Sequence, residues 1–156
     1  MVIRVLAVGK LRDAAIRDAC EDYLGRARRY FRVEVQEVAN RPKGKTPAER
    51  TRAEGWALLG AIPPGAATIA MTRAGRSEDS ARFAGRVAGW QRAARDVALL
   101  IGGAFGPDPA VLGQCDAQLS LSPLTLPHEL ARLVLLEQLY RAGTILKGEP
   151  YHKGST

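Results

Sequence analysis

The sequence predicts an α/β fold: a mostly parallel sheet with helices on both faces. Three observations carry this. Short, strongly apolar runs of strand length recur along the chain. Stretches with helical spacing separate them, and Gly or Pro marks most borders. At 156 residues and 46% apolar content the chain can bury a real core. No repeat, low-complexity tract or long linker divides it, so residues 1–156 are expected to form a single domain.

Val2 to Val8 reads as a buried strand ended by Gly9. Asp13 is placed to cap a helix whose apolar face is Ile16, Ala19, Cys20, Tyr23, Ala27 and Tyr30. Val33 to Val38 is a strand, with Val38 out of phase with Val33 and Val35. A basic turn follows, from Asn40 to Lys45. Thr46, Pro47 and Glu49 spell a capping box with proline at the first helical position. Pro63-Pro64-Gly65 stops that helix, and Ala67 to Met71 is a short strand. Ser77 is expected to cap a helix running to about Ala94. Val97 to Ile101 is a strand opening into a glycine turn, and Asp108-Pro109 starts another helix. Leu119 to Leu121 reads as a strand and Leu130 to Ala142 as a helix stopped near Gly143.

The formal charge is +7 and the pI about 9.9, which favours a polyanionic partner, nucleic acid or an anionic membrane surface. Cys20 and Cys115 are far apart and lack metal-ligand spacing, so no metal site is expected and both read as buried free thiols in a reducing cytosol. The first ten residues lack a signal-peptide pattern and no apolar run is long enough to span a bilayer, so a cytoplasmic protein is expected.

Ligands of open α/β sheets sit beyond the C-terminal strand ends. Three segments qualify: Met71 to Arg76, Ile101 to Gly106, and Leu121 to His128. The second permits close backbone approach, and a side chain at Gly103 is expected to obstruct a ligand. Neither a dinucleotide fingerprint nor a phosphate-loop lysine is present. The third, apolar and twice prolyl, is stiff enough to present main-chain groups to a planar ring. The two histidines, His128 and His152, open a helix and sit beside the C-terminus respectively. Tyr151, His152 and Lys153 place a stacking ring, a titratable imidazole and an ammonium side by side.

Four segments together, Leu99 to Gly106, Leu119 to His128, Leu139 to Ala142 and Pro150 to Lys153, resemble the signature of the RlmH family. Its members are large-subunit pseudouridine methyltransferases of the SPOUT superfamily. The likeness covers essentially the whole chain; Val5 to Lys10 and Gly75 to Glu78 share it. The resemblance implies an α/β fold whose C-terminal part, about residues 67–156, is tied in a trefoil knot. It implies a homodimer, S-adenosylmethionine as methyl donor, and N3 of a pseudouridine in helix 69 of 23S rRNA as acceptor, on assembled ribosomes.

Carried over by position, Met71, Gly103, Ser122, Pro123, Leu124, Thr125, Leu126 and Pro127 would hold the donor. His152 would act as base or proton relay, Arg141 on phosphate or the base edge, and Tyr151 by stacking. Lys153 and His128 would contact RNA. Where members carry Leu-Asp, this chain has Met71-Thr72, so a carboxylate is missing from the first loop. Arg26, Arg28, Arg29, Arg32, Arg41, Lys43 and Lys45 are candidates for a wider RNA footprint. The apolar arc of the Leu130 to Tyr140 helix is a candidate dimer seam. Two other readings stay open: a non-catalytic ribosome-binding factor of the same fold, and a nucleotide-dependent enzyme on an ordinary doubly wound sheet.

Overall fold

Apolar, β-branched runs become the sheet. The computed structural model describes residues 1–39 and 46–153. In it, β1 (Val2–Val8), β2 (Arg32–Val38), β3 (Ala67–Ser77), β4 (Val97–Ile101) and β5 (Ala117–Ser120) lie in the order β2-β1-β4-β3-β5, with every pairing parallel. The helices are α1 (Ala14–Ala27), α2 (Pro47–Ala61), α3 (Ser80–Arg92), α4 (Pro109–Gln114) and α5 (His128–Leu146), followed by a 3₁₀ turn, Pro150–His152. The basic turn bearing Arg41, Lys43 and Lys45 lies outside the described residues.

Alternation along the central strands splits the core in two. Ile3, Val5 and Ala7 of β1 and Val97, Leu99 and Ile101 of β4 pack with Cys20 of α1, Phe83 and Val87 of α3 and Leu135, Leu136 and Leu139 of α5. Leu6, Val8, Ala98 and Leu100 face the opposite side, against Leu58 of α2 and Val111 of α4. Val33 joins the first core and Val38 the second, which accounts for the phase change in β2. Near-continuous apolar strands are what a sheet covered on both faces requires.

The caps at Asp13, Thr46 and Asp108 form as expected: Asp13 accepts from the Ile16 amide at 3.0 Å, and Thr46 and Glu49 close a reciprocal box. Several boundaries differ. Met71 to Arg76 is not a loop. It is the continuation of β3, which shifts register after Met71 so that Arg76 and Ser77 pair with Leu119 and Ser120. Ser77 is thereby used in the strand, and Asp79 caps α3 instead, accepting from the Arg82 amide at 2.7 Å. The last strand ends at Ser120, releasing Leu121 to the following loop. Tyr30 sits in the turn after α1. Cys20 is buried but Cys115 only half-buried, its thiol donating to the Val111 carbonyl at 3.1 Å; burial raises the pKa of both.

Gly143 does not stop the last helix. It lies three residues inside α5, where a Cβ would stand 2.3 Å from Cγ of Tyr30. Glycine is about 1 kcal/mol poorer than alanine in a helix interior, but here its missing side chain admits the ring that joins α1 to α5. Gly143→Ala is therefore expected to destabilise the fold by roughly 1–3 kcal/mol despite better propensity. At about 2–4 °C per kcal/mol, calorimetry resolves this. An unchanged melting temperature would mean that Tyr30 swings aside at no cost.

Candidate functional site

Strand order determines where the chain leaves room. After β3 the chain turns to α3, which packs on α5 on one face; after β4 it turns to α4, which packs on α2 on the other. β3 and β4 are neighbours, so their connections diverge and open a crevice at their C-terminal ends, the usual place for a ligand in such sheets. A cavity of about 780 Å³ lies there. Its walls are Met71 to Arg73 from β3, Ile101 to Pro107 at and after the end of β4, Leu121, Ser122 and Leu124 to Pro127 between β5 and α5, and His128 and Ala131 of α5. All three sequence-predicted segments thus meet at one site. Of the residues expected to hold a donor, Met71, Gly103, Ser122, Leu124, Thr125, Leu126 and Pro127 line the cavity. Pro123 does not.

The walls are held internally. In the third segment the Ser120 hydroxyl donates to the Ser122 carbonyl at 2.8 Å, and the Ser122 hydroxyl accepts from the Leu124 amide at 2.9 Å. Arg73 reaches across to the Thr125 hydroxyl at 3.2 Å, joining the first wall to the third. Phe105 in the second segment and Leu124 in the third are 53% and 75% exposed, large apolar side chains of the cavity lining left uncovered. His128 begins α5 at the cavity, and that helix carries no side-chain cap.

The glycine turn works differently from the sequence expectation. A Cβ on Gly103 would stand 2.5 Å from Oε2 of Glu54 on α2, so it points at the core and not at the cavity. A larger residue there meets the Glu54 carboxyl before it meets a ligand. Gly102 is held as tightly, since its Cβ would come within 2.9 Å of the Gly106 and Pro107 backbone.

The expected catalytic group assembles elsewhere. Tyr151 folds back along α5, its ring 4.5 Å from that of Tyr140 and its hydroxyl 3.1 Å from Glu137 Oε1 and 3.4 Å from the Tyr23 hydroxyl. Burial, then its bond with Tyr23, raises the Tyr151 phenol well above its ordinary pKa. Arg141 pairs with Glu137 at 2.6 Å and lies over the Tyr151 ring at 4.9 Å, so it is neither exposed nor in the final turn of its helix. Tyr30 bonds Glu149, which fastens the base of the tail; this bond, more than any other influence, lifts the Tyr30 pKa to about 12. Nδ1 of His152 is buried and, among the described residues, without a partner, while Lys153 is exposed. None of Arg141, Tyr151, His152 and Lys153 lines the cavity. Tyr151 is level with Glu137, nine residues beyond His128, or about 14 Å along the helix axis.

Two residues that sequence reasoning did not single out matter here. Arg132 is 2% exposed and bonds Glu37 at 2.7 Å and the Gly9 carbonyl at 2.8 Å, tying α5 to the ends of β1 and β2. Glu54 is 4% exposed. A charge on the apolar face of a helix was the available signal for both.

Residues 1–152 match the family described as "Predicted SPOUT methyltransferase". The chain belongs to the SPOUT methyltransferase family. Similar proteins include the "Ribosomal RNA large subunit methyltransferase H" of Gemmatimonas aurantiaca, 45% identical over 98% of this chain and 100% of that one. Proteins of the same name from Anaeromyxobacter sp. (strain K) and Bordetella petrii are 46% and 41% identical, again over 98% of this chain, and over 100% and 99% of theirs. Among solved structures, a probable methylase family protein from Haemophilus influenzae Rd KW20 superposes with a TM-score of 0.57 at 12% identity, over 99% of this chain and 71% of that one. That likeness shows the fold alone. Among the described residues no helix is long and apolar enough to cross a membrane, and no cluster of His, Cys, Asp or Glu could hold a metal ion.

Proposed function

We propose that this SPOUT methyltransferase methylates large-subunit ribosomal RNA in the cytoplasm, with S-adenosylmethionine as donor. The acceptor on this reading is N3 of a pseudouridine in helix 69 of 23S rRNA, on assembled ribosomes, and the chain acts as a single-domain, knotted homodimer. The observation that carries the reading is the cavity at the divergence of β3 and β4, in a chain that is 41–46% identical throughout to large-subunit methyltransferases.

The cavity suits the donor. Its volume is ample for a nucleoside bearing an amino acid. Its apolar walls at Met71, Leu121 and Leu126, with the stiff Ser122 to Pro127 main chain, fit a planar ring edge-on. The missing carboxylate at Thr72 leaves ribose contacts to the main chain and Thr125. The donor brings an electrophilic methyl on a sulfonium. The protein's task is then alignment, which supplies much of the barrier reduction, and removal of the N3 proton.

Of the groups suited to that proton and to the RNA, His128 lines the cavity, but Arg141, Tyr151, His152 and Lys153 stand away from the cavity of their own chain. A two-fold dimer reconciles this, each tail serving the partner's cavity. Leu130 and Val134, half-exposed one turn apart on α5, belong to neither core and are available for the seam. His152 takes the N3 proton directly or through water, Lys153 and His128 hold phosphate, and Tyr151 and Arg141 hold the tail and the base edge. Arg26, Arg28, Arg29 and Arg32 extend the basic footprint.

Calorimetry with S-adenosylmethionine is expected to give micromolar binding, and light scattering about twice the 16.8 kDa chain mass. No binding would favour a passive ribosome factor. Preference for a nucleoside triphosphate would favour a nucleotide-dependent enzyme. A monomer that methylates at full rate would remove the shared site.

A further inference from the structure

Among the buried ionisable side chains of the described residues, Glu54 stands out for a carboxylate oxygen that no donor meets. Arg132, equally deep, is answered by Glu37 and a carbonyl. Glu54 Oε2 is fully buried and, among the described residues, accepts no hydrogen bond. Burial pushes its carboxyl pKa up, and the Arg50 charge opposes this only in part. An uncompensated carboxylate in such a place costs stability. A leucine would fill the space at no such cost.

Its position supplies a reason. The carboxyl rests against Gly103, with Oε1 and Cδ each 2.9 Å from where a Cβ would be. Gly103 is itself a wall of the cavity. A single residue without a side chain separates the carboxyl from whatever the cavity binds, and Coulomb forces persist across so thin a wall of low dielectric. The methyl donor is a sulfonium, a cation that no loss of a proton can neutralise. Methyl transfer breaks its S–CH₃ bond, leaves the electron pair on sulfur and yields a neutral thioether, as N3 gains the methyl and gives up its proton. Substrate and product thus differ in charge at one atom.

We infer that Glu54 is a positioning residue that biases the cavity towards the cationic donor and against the neutral thioether product, acting from behind Gly103. The inference rests on reading the cavity as the S-adenosylmethionine site. It makes Glu54 an element of discrimination and of product release, with a stability cost to the free protein.

The test compares S-adenosylmethionine with S-adenosylhomocysteine by calorimetry, in the wild type and in Glu54→Gln and Glu54→Leu. Both variants keep roughly the size of the side chain, and replacing a buried, only partly compensated carboxyl with an apolar group removes a desolvation cost. The expected result is a loss of about 10-fold in affinity for the sulfonium, with the thioether within about 2-fold, as removal of one charge-to-charge interaction would give. The melting temperature of the ligand-free Leu variant should rise by about 2–4 °C per kcal/mol regained, which a purely structural role does not allow. Equal loss for both ligands, or a lowered melting temperature with the affinity ratio unchanged, overturns the inference. If the wild type binds neither ligand, the reading of the cavity itself falls and the inference with it.

Discussion

Removal of Tyr151 to Thr156 is expected to reduce methylation of ribosomes by at least 100-fold, the usual scale for loss of a proton relay, while changing S-adenosylmethionine affinity only a few-fold. Its described residues, Tyr151, His152 and Lys153, line no part of the cavity in their own chain, so donor binding should survive. Tyr151 is nevertheless docked, on Tyr140, Tyr23 and Glu137, and removing it exposes that aromatic cluster. A melting curve must therefore accompany the rate. Single substitutions separate the parts. His152→Ala should slow the chemical step with little change in KM, whereas Lys153→Ala, losing one exposed cation, should weaken ribosome binding and flatten its salt dependence by about one phosphate contact. Tyr151→Phe keeps the ring and drops the hydroxyl that bonds Glu137, so it reports on tail docking alone. A truncated chain that methylates at the normal rate would mean that the tail is idle, and the base would have to be sought near His128.

The fold was legible where local chemistry and tertiary packing agree. Three of the four side-chain caps were readable because Asp or Thr stands directly before a helical run. The doubly covered sheet was readable because Val97 to Ile101 has no polar side for water. Misreadings occurred where a remote partner decided. Gly75 falls in the segment expected beyond the end of a strand, yet it lies against the β5 backbone, 2.7 Å from where its Cβ would be, and lets β3 continue. Gly143 looked like a stop until Tyr30 was beside it. Of the site, the three loops could be listed from glycine and proline content and the strand-end rule. Glu54 could not, because the fact that matters is its contact with Gly103, 49 positions away in sequence. Nor could sequence show that tail and cavity are separated along α5, since their distance depends on the tail folding back along a helix.

That separation leads to the prediction with the sharpest contrast. Two variants, each inactive alone, should regain activity when mixed. One lacks Tyr151 to Thr156 and keeps its cavity. The other keeps its tail but has the cavity blocked by Ala104→Trp, at an exposed position on the glycine turn that lines the opening; calorimetry should first show that it binds no donor. In a two-fold dimer each site would take its cavity from one chain and its tail from the other. A mixed dimer then holds one site with both parts sound and one with both parts broken. If chains exchange freely at equal concentration, half the dimers are mixed, so about a quarter of all sites become competent. Activity should rise from background to about a quarter of the wild-type rate, and only after the dimers have been dissociated and reassembled together. Simple addition of two low rates would mean that each chain completes its own site, and His152 would then have to cross the roughly 14 Å from the level of Glu137 to His128 by an excursion of the tail. Arg132 offers no such freedom, because its bonds to Glu37 and Gly9 hold the N-terminal half of α5 to the sheet.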